Sequence, residues 1–379
     1  MTELYIGLMS GTSLDGVDGV LAAFEPGGPD EATRIEVRAH AWQRFDTDLQ
    51  ADLLGLNTPG DNELHRAALA ANKLVGLYAQ VTQALLLQAG LAAGDVRALG
   101  AHGQTVRHRP GEFDGTGYTW QLNNPALLAE RCGIDVIADL RSRDVAAGGQ
   151  GAPLVPAFHQ AAFSQPDRSV VALNVGGISN LTIVPASNQA GATAWGFDCG
   201  PGNVLMDLWS SRHLGRPYDK DGAWAARGRV IEPMLHDLLA EPYLRQPPPK
   251  STGRDLFHAD WLQAQLDRHP WQDAADVQAT LCEFTAQVCA RAVREHAADA
   301  SELIVCGGGA LNHQLMRRLQ GNLPGLRVVT SEAHGLPPMQ VEAAAFAWLA
   351  RAFVHRQPAN LPRATGARGL RLLGALYPA

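Results

Sequence analysis

Gly7-Leu8-Met9-Ser10-Gly11-Thr12-Ser13-Leu14-Asp15-Gly16-Val17-Asp18-Gly19-Val20-Leu21 is the stretch on which the fold reading turns. The apolar run from Leu4 to Met9 reads as a strand. Ser10 to Ser13 breaks it, and the alternation of Val17, Gly19 and Leu21 restores a strand. Such a turn is either a plain hairpin or an anion cradle. Gly11 lets backbone N–H groups come close to an anion, and Thr12 and Ser13 add hydroxyls. Asp15 and Asp18 are placed to hold a metal ion through water. A turn that only closes a hairpin needs no more than Asn-Gly or Asp-Gly.

The pattern recurs. Val170 to Val175 is apolar, Gly176-Gly177-Ile178-Ser179-Asn180 follows, and Leu181 to Val184 is apolar again. A third Gly-rich turn, Gly307-Gly308-Gly309-Ala310-Leu311-Asn312, follows the run Ile304–Cys306 and leads into a helix over His313–Gln320. Two hairpin turns and one strand-to-helix turn suggest two phosphate loops facing each other and a loop on the nucleoside side, as in a duplicated fold. The alternative is three unrelated tight turns in a chain with 39 glycines.

Composition narrows the class. At 379 residues the chain exceeds the ~250–300 at which one core usually splits, so two domains are expected. A net charge of −7 argues against a nucleic-acid surface. Cys132, Cys199, Cys282, Cys289 and Cys306 form no metal-ligand spacing and read as reduced thiols of a cytoplasmic protein. No signal peptide is expected, and no apolar run reaches the ~18 residues of a membrane span.

Strands and helices alternate along the chain. Arg34–Phe45 reads as a third antiparallel strand, and a helix capped by Asp61 or Asn62 runs to about Gln88. Val96–Ala101, Thr119–Leu122 and Asp135–Leu140 read as strands, with a helix from Pro125 to Cys132. Asn203–His213, Val277–His296 and Val341–Phe353 read as helices. The expected class is α/β, with mixed sheets and helical crossovers. Ala146–Pro153 is the linker candidate.

Several polar groups carry possible chemistry. Asp198, in Gly196-Phe197-Asp198-Cys199-Gly200-Pro201-Gly202-Asn203, is expected to end the strand Thr193–Phe197 just before a helix. There it would serve as a general base or as a helix cap. His102, with Gln104 and Thr105, suits hydroxyls or an acetamide, or else is a loop histidine. Arg141, Arg143 and Asp144 offer a carboxylate site or a surface ion pair. Glu342 is either a helix-dipole partner or a site carboxylate. The chain lacks the Walker lysine spacing, the kinase HRD and DFG set and a GxGxxG opening, so phosphoryl transfer would rest on paired hairpin loops with Mg²⁺.

Seven segments in order then carry a resemblance: Met9–Asp18, Ala101–Val106, Asp139–Pro156, Asn174–Thr182, Gly196–Asp207, Lys250–Phe257 and Cys306–Asn312. In these the chain resembles the anhydro-N-acetylmuramic acid kinase family of the sugar kinase, heat-shock chaperone and actin superfamily. The resemblance implies a two-domain, actin-like (ribonuclease H-like) fold with duplicated mixed sheets and a central cleft. Domain I is expected over 1–145 plus about 365–379, and domain II over 146–364. It implies ATP with Mg²⁺, phosphates on Gly11, Thr12, Ser13, Leu14, Asp15, Gly16, Val17 and Asp18, and Asp198 as base. Gly176, Gly177, Ser179, Asn180, Gly200 and Gly202 would serve the second phosphate turn, and Gly307, Gly308, Gly309 and Asn312 would sit by adenosine. His102, Gln104, Thr105, Arg143, Asp144 and Glu342 are the substrate candidates. A homodimer without membrane or nucleic-acid partners is expected. An ordinary sugar or acid kinase and a chaperone-like ATPase module are the rivals. Cys199 stands where the family often has Thr, and Met339 where an acidic residue is common.

Overall fold

The computed structural model describes residues 2–11, 13–25, 33–189, 191–248, 250–253, 256–270 and 273–379. They form two compact units, Met1–Ala162 with Gln340–Ala379, and Phe163–Met339. Thr12, Arg254 and Asp255, which belong to motifs singled out above, lie outside the described residues.

Unit 1 holds β1 (Glu3–Met9), β2 (Gly16–Glu25), β3 (Arg34–Arg44), β4 (Ala98–Ala101), β5 (Gln104–Pro110), β6 (Gly117–Leu122), β7 (Val136–Ala138) and β13 (Ala375–Tyr377). Unit 2 holds β8 (Val170–Val175), β9 (Ile178–Val184), β10 (Trp195–Pro201), β11 (Glu302–Cys306) and β12 (Arg327–Thr330). The unit 1 sheet runs β3-β2-β1-β4-β7-β13, and the unit 2 sheet runs β10-β9-β8-β11-β12. In each, three antiparallel strands come first, and the next two lie parallel to the first of them. The same five-strand order thus appears twice, so the mixed-sheet architecture is duplicated as expected.

Glycines decide how closely helices lie on the unit 1 sheet. Gly7 on β1 and Gly100 on β4 are register partners. A Cβ on Gly7 would collide with the Ala343 carbonyl oxygen, and one on Gly100 with that of Phe346. The helix Val341–Val354 therefore sits backbone to backbone on the strands, through its small residues Ala343, Ala347 and Ala350. On the other face, the helix Glu63–Ala89 buries Leu74, Val75, Tyr78, Val81 and Leu85, a 3.6-residue stripe. A Cβ on Gly19 would meet Val81 and Leu85 there. Gly90, at φ 66°, ends that helix.

In unit 2 the helix Ala274–His296 packs on β9 and β10 and buries Leu281, Phe284, Val288 and Val293. No helix among the described residues is long and apolar enough to cross a membrane.

Two strands differ from expectation. Gln104 and Thr105 open β5, which pairs with β6 in a separate hairpin with a bulge between Thr105 and Arg107. Asp198 does not end its strand. β10 continues to Pro201 through a bulge between Asp198 and Gly200. The 146–153 strip lies inside unit 1, where the Gly151 N–H donates to Asp144 Oδ2 at 2.8 Å.

Candidate functional site

In unit 1 the first turn is built from the ends of β1 and β4. Ser10 Oγ donates to the Gly103 carbonyl (3.0 Å) and shares a hydrogen bond with the Tyr78 hydroxyl (3.1 Å), to which the Gly103 N–H also donates (3.1 Å). Gln104 Nε2 donates to the Gly11 carbonyl at 3.1 Å, so the two sequence motifs are joined. Leu14 turns the chain at φ 57°, its N–H donating to Gly11 O, and its own carbonyl accepts from Gln50 Nε2. The N–H groups of Gly11 and Ser13 are not taken up by any other described residue. Ser13 Oγ donates to Asp15 Oδ1 (2.8 Å), and Asp18 pairs with His40 (2.6 Å). Val17 is fully buried.

His102 is buried beside this turn. Arg141 donates to its Nε2 through Nε (3.0 Å) and Nη2 (2.9 Å), and Nδ1 lies 3.3 Å from the Ser10 carbonyl. A guanidinium can only donate, so Nε2 is the acceptor and the proton sits on Nδ1. Burial, then the Arg141 charge, push the His102 pKa down to about 3, so the ring is neutral. Arg141 also donates to the Gly151 carbonyl (2.8 Å) and is lowered to about 10 by burial, against the opposing charges of Glu342 and Asp144.

The other candidates of this unit divide. Asp144 is fully buried and accepts from Gly151 N, Asn360 Nδ2 and Thr365 Oγ1, each at 2.8 Å, so it clamps the last segment of the unit. Arg143 is exposed, and its side chain has no partner among the described residues. Glu342 is exposed at the first turn of its helix. Thr105 joins a polar ladder on the β5–β6 hairpin. Gln121 Nε2 donates to Thr105 Oγ1 (3.2 Å) and Thr119 Oγ1 (2.7 Å), and His108 bonds Thr119 (2.8 Å). The bulge puts Thr105 and His108 on one face, which alternation alone does not reveal.

In unit 2 the turns at 176–177 and 307–309 leave the carboxyl ends of the parallel strands β8 and β11. Gly202 N, Asn203 N and Val204 N donate to Gly177 O, Gly176 O and Gly177 O at 2.8, 2.8 and 3.1 Å. This stitches the turn to the start of the helix Val204–Leu214. Asn203 Nδ2 donates to the Val175 carbonyl (3.0 Å) and lies 3.5 Å from where a Gly308 Cβ would be. Asn312 caps the helix His313–Asn322 through the Leu315 N–H.

The glycines of these turns serve two ends. A Cβ on Gly202 would strike the Gly176 carbonyl, one on Gly307 the Asn174 side chain, and one on Gly309 Val175, so these three are packing glycines. A Cβ on Gly176 or Gly177 would find only ordinary contacts, at 3.6 and 3.9 Å, and neither has a positive φ. Nothing inside the unit requires glycine there, and their N–H groups are taken by no other described residue. Space and unclaimed donors thus coincide at these two glycines.

Asp198 lies one strand over. Asn174 on β8, Asn180 on β9 and Asp198 on β10 are direct register partners, so they form one row on one face of the sheet. Ser251 Oγ donates to Asp198 Oδ2 at 2.7 Å, and the Thr252 N–H donates to the same oxygen at 3.1 Å. Burial raises the Asp198 pKa above the ordinary 3.8, against those two bonds. Ser179 Oγ, by contrast, donates to Gly200 O (3.1 Å) and accepts from Cys289 Sγ (3.4 Å) inside the core. Cys199 is buried against Cys289, and the hydrogen bond with that thiol, then burial, push its pKa up and keep it protonated. Asn174 and Ser251 stood in quoted motifs, but only strand register puts the first in a row with Asp198 and only tertiary contact puts the second against it.

The model of the family "Anhydro-N-acetylmuramic acid kinase" matches residues 3–379. The chain is 61% identical over 378 residues to a protein of that name from Variovorax paradoxus, covering 100% of this chain and 99% of that one. It is 57% identical to another from Albidiferax ferrireducens, with 100% of both chains covered. Among solved structures, component A of (R)-2-hydroxyglutaryl-CoA dehydratase from Acidaminococcus fermentans is similar at TM-score 0.43 and 14% identity, over 91% of this chain and 96% of that one.

Proposed function

We infer the reaction from one premise: this chain belongs to the anhydro-N-acetylmuramic acid kinase family, and so is a phosphotransferase with an alcohol acceptor. We propose that it opens the 1,6-anhydro ring of 1,6-anhydro-N-acetylmuramic acid with water and phosphorylates O6 from ATP. The products are N-acetylmuramate 6-phosphate and ADP, a step in recovering cell-wall amino sugars.

The observation that carries this is Asp198, a half-buried carboxylate with a raised pKa and one oxygen fixed by Ser251 and Thr252. In the bridged sugar O6 is bonded to C1, so there is no 6-hydroxyl to deprotonate. Water forms the new bond to C1 and its proton passes to Asp198. The C1–O6 pair goes to O6, which takes the γ-phosphoryl as ADP leaves. A carboxylate that activates water opposite a leaving oxygen is the inverting arrangement of glycoside hydrolysis. The general acid of that scheme is not needed, because phosphorus captures O6.

The other residues bind and orient. Gly11 and Ser13 in unit 1, and Gly176 and Gly177 in unit 2, present N–H donors to phosphate oxygens. Gln104 and Thr105 suit the sugar hydroxyls and acetamide, while His102, both ring nitrogens taken by Arg141 and the Ser10 carbonyl, holds the turn beside them. Arg143, unlike Arg141, is free to meet the lactyl carboxylate. Mg²⁺, when bound, neutralises phosphate charge. No three His, Cys, Asp or Glu side chains converge among the described residues. Asp15 or Asp18 would hold the ion through water, beside the phosphate oxygens. A cytoplasmic homodimer is the assembly we propose.

The test is turnover of ATP and the anhydro sugar in ¹⁸O-labelled water, with a mass spectrum of the product. Label in the sugar of a 6-phosphorylated product is expected. Phosphorylation without label would mean an ordinary kinase acting on a free hydroxyl.

A further inference from the structure

The 250–252 segment and Tyr243 grip Asp198 at four points. The Asp198 N–H donates to the Lys250 carbonyl (3.2 Å), and the Tyr243 hydroxyl donates to the Asp198 carbonyl (2.8 Å). Ser251 Oγ and the Thr252 N–H both donate to Oδ2. No bond among the described residues reaches Oδ1. Lys250 does not pair with the carboxylate. Its Nζ donates to the carbonyls of Tyr243 (3.4 Å) and Leu244 (3.2 Å) and sits 4.8 Å over the Tyr243 ring.

A free carboxylate turns about χ2 between two equivalent orientations. Two donors on one oxygen remove that equivalence. We propose that Ser251 is a positioning residue for the reaction: its hydroxyl locks Oδ2 and so presents Oδ1 to the attacking water. The proposal rests on the reading of Asp198 as the base. Proton transfer fits the lock. With the proton on Oδ1, Oδ2 becomes the carbonyl-type oxygen and still accepts from Ser251 and Thr252. A proton on Oδ2 would instead face two donors. The titratable groups around the carboxylate are Cys199, pushed up by its hydrogen bond with Cys289 and then by burial, Tyr243, pushed up by burial, both neutral, and Lys250, pushed down by burial.

Ser251 is exposed, so its truncation spares the core. The full chain is compared as wild type, Ser251→Ala, Ser251→Thr and Asp198→Asn, with kcat and both KM values measured from pH 5 to 9. In Ser251→Ala the acid limb of kcat should move up by about half to one pH unit, because a bond to the charged form is lost. Below the limb kcat should fall about three- to tenfold, with both KM values within about twofold. Ser251→Thr should restore the limb. An unmoved limb in Ser251→Ala beside an inactive Asp198→Asn overturns the Ser251 role alone. An Asp198→Asn that keeps most activity overturns the base reading and the proposal with it.

Discussion

Arg141 spends two of its donors on a single acceptor, His102 Nε2, at 3.0 and 2.9 Å. The pair therefore carries one positive charge, not two, and holds an uncharged ring beside the first turn.

That arrangement has a signature in stability. The folded-state pKa of His102 is about 3, against an ordinary 6.5, so the unfolded chain takes up the proton first as pH falls. The contribution is whole above pH 6.5 and is lost towards pH 3, with a slope of about 1.4 kcal/mol per pH unit. His102→Gln should therefore show a shallower loss of stability between pH 6.5 and 4, read from urea midpoints. Buried His159, also pushed down to about 3, keeps the slope from vanishing.

Asp198→Asn should lose about 10²–10⁴-fold in kcat, the usual range for a general base, and still bind ATP. Burial disfavours the ionised form of Asp198 in the folded protein, so the neutral amide should leave the melting temperature equal or higher. Calorimetry beside steady-state kinetics decides it. A lower melting temperature would mark the carboxylate as structural.

Gly177→Val separates cradle from scaffold. A Cβ there has room, so the variant should fold with an unchanged melting temperature. Its side chain would fill the space before the free N–H groups, so KM for ATP should rise about tenfold or more, the loss of ~1.4 kcal/mol or more of phosphate contacts. The KM for sugar should hold.

Arg143→Ala should raise KM for the sugar about 10–100-fold, the worth of a hydrogen bond to a charged group, with KM for ATP unchanged. A sugar lacking the lactyl carboxylate should show no difference between variant and wild type.

Gly7→Ala should destabilise unit 1 by about 1–3 kcal/mol or more, because its methyl meets the Ala343 carbonyl and the Ala347 N–H. Gly321→Ala, inside the helix His313–Asn322 with nothing within 4 Å of the new methyl, should stabilise by about 0.5–1 kcal/mol. Denaturant midpoints give both signs.

Much of this fold can be read from local pattern. The strand-turn-strand openings at β1–β2 and β8–β9 and the long amphipathic helices stand where periodicity places them. The failures are where pattern is interrupted. The bulge after Thr105 breaks alternation in β5, and Cys199-Gly200-Pro201 does not resemble a strand although β10 runs through it. Asp139 at φ 55° ends β7 two residues before the expected end. Of the site, Gly-rich turns and Asp198 are visible as motifs. Which glycines have open space at Cα is not, since Gly177 and Gly202 look alike in sequence and differ only in what surrounds their Cα. Ser251 is 53 residues from Asp198 and Arg141 is 39 from His102, separations that no periodicity spans.

The unit 1 sheet closes with β13, which pairs with β7 through Ala375–Ala138, Leu376–Ile137 and Tyr377–Val136, and the helix over Gly7 and Gly100 comes from residues 341–354. Both pieces are made after the stretch Phe163–Met339. During synthesis, β1 to β7 must wait with one sheet face uncovered while the continuous stretch Phe163–Met339 emerges and folds as a unit. Nascent chains halted near residue 340 should then give a protease-resistant fragment from the middle of the protein, while the N-terminal portion is still digested.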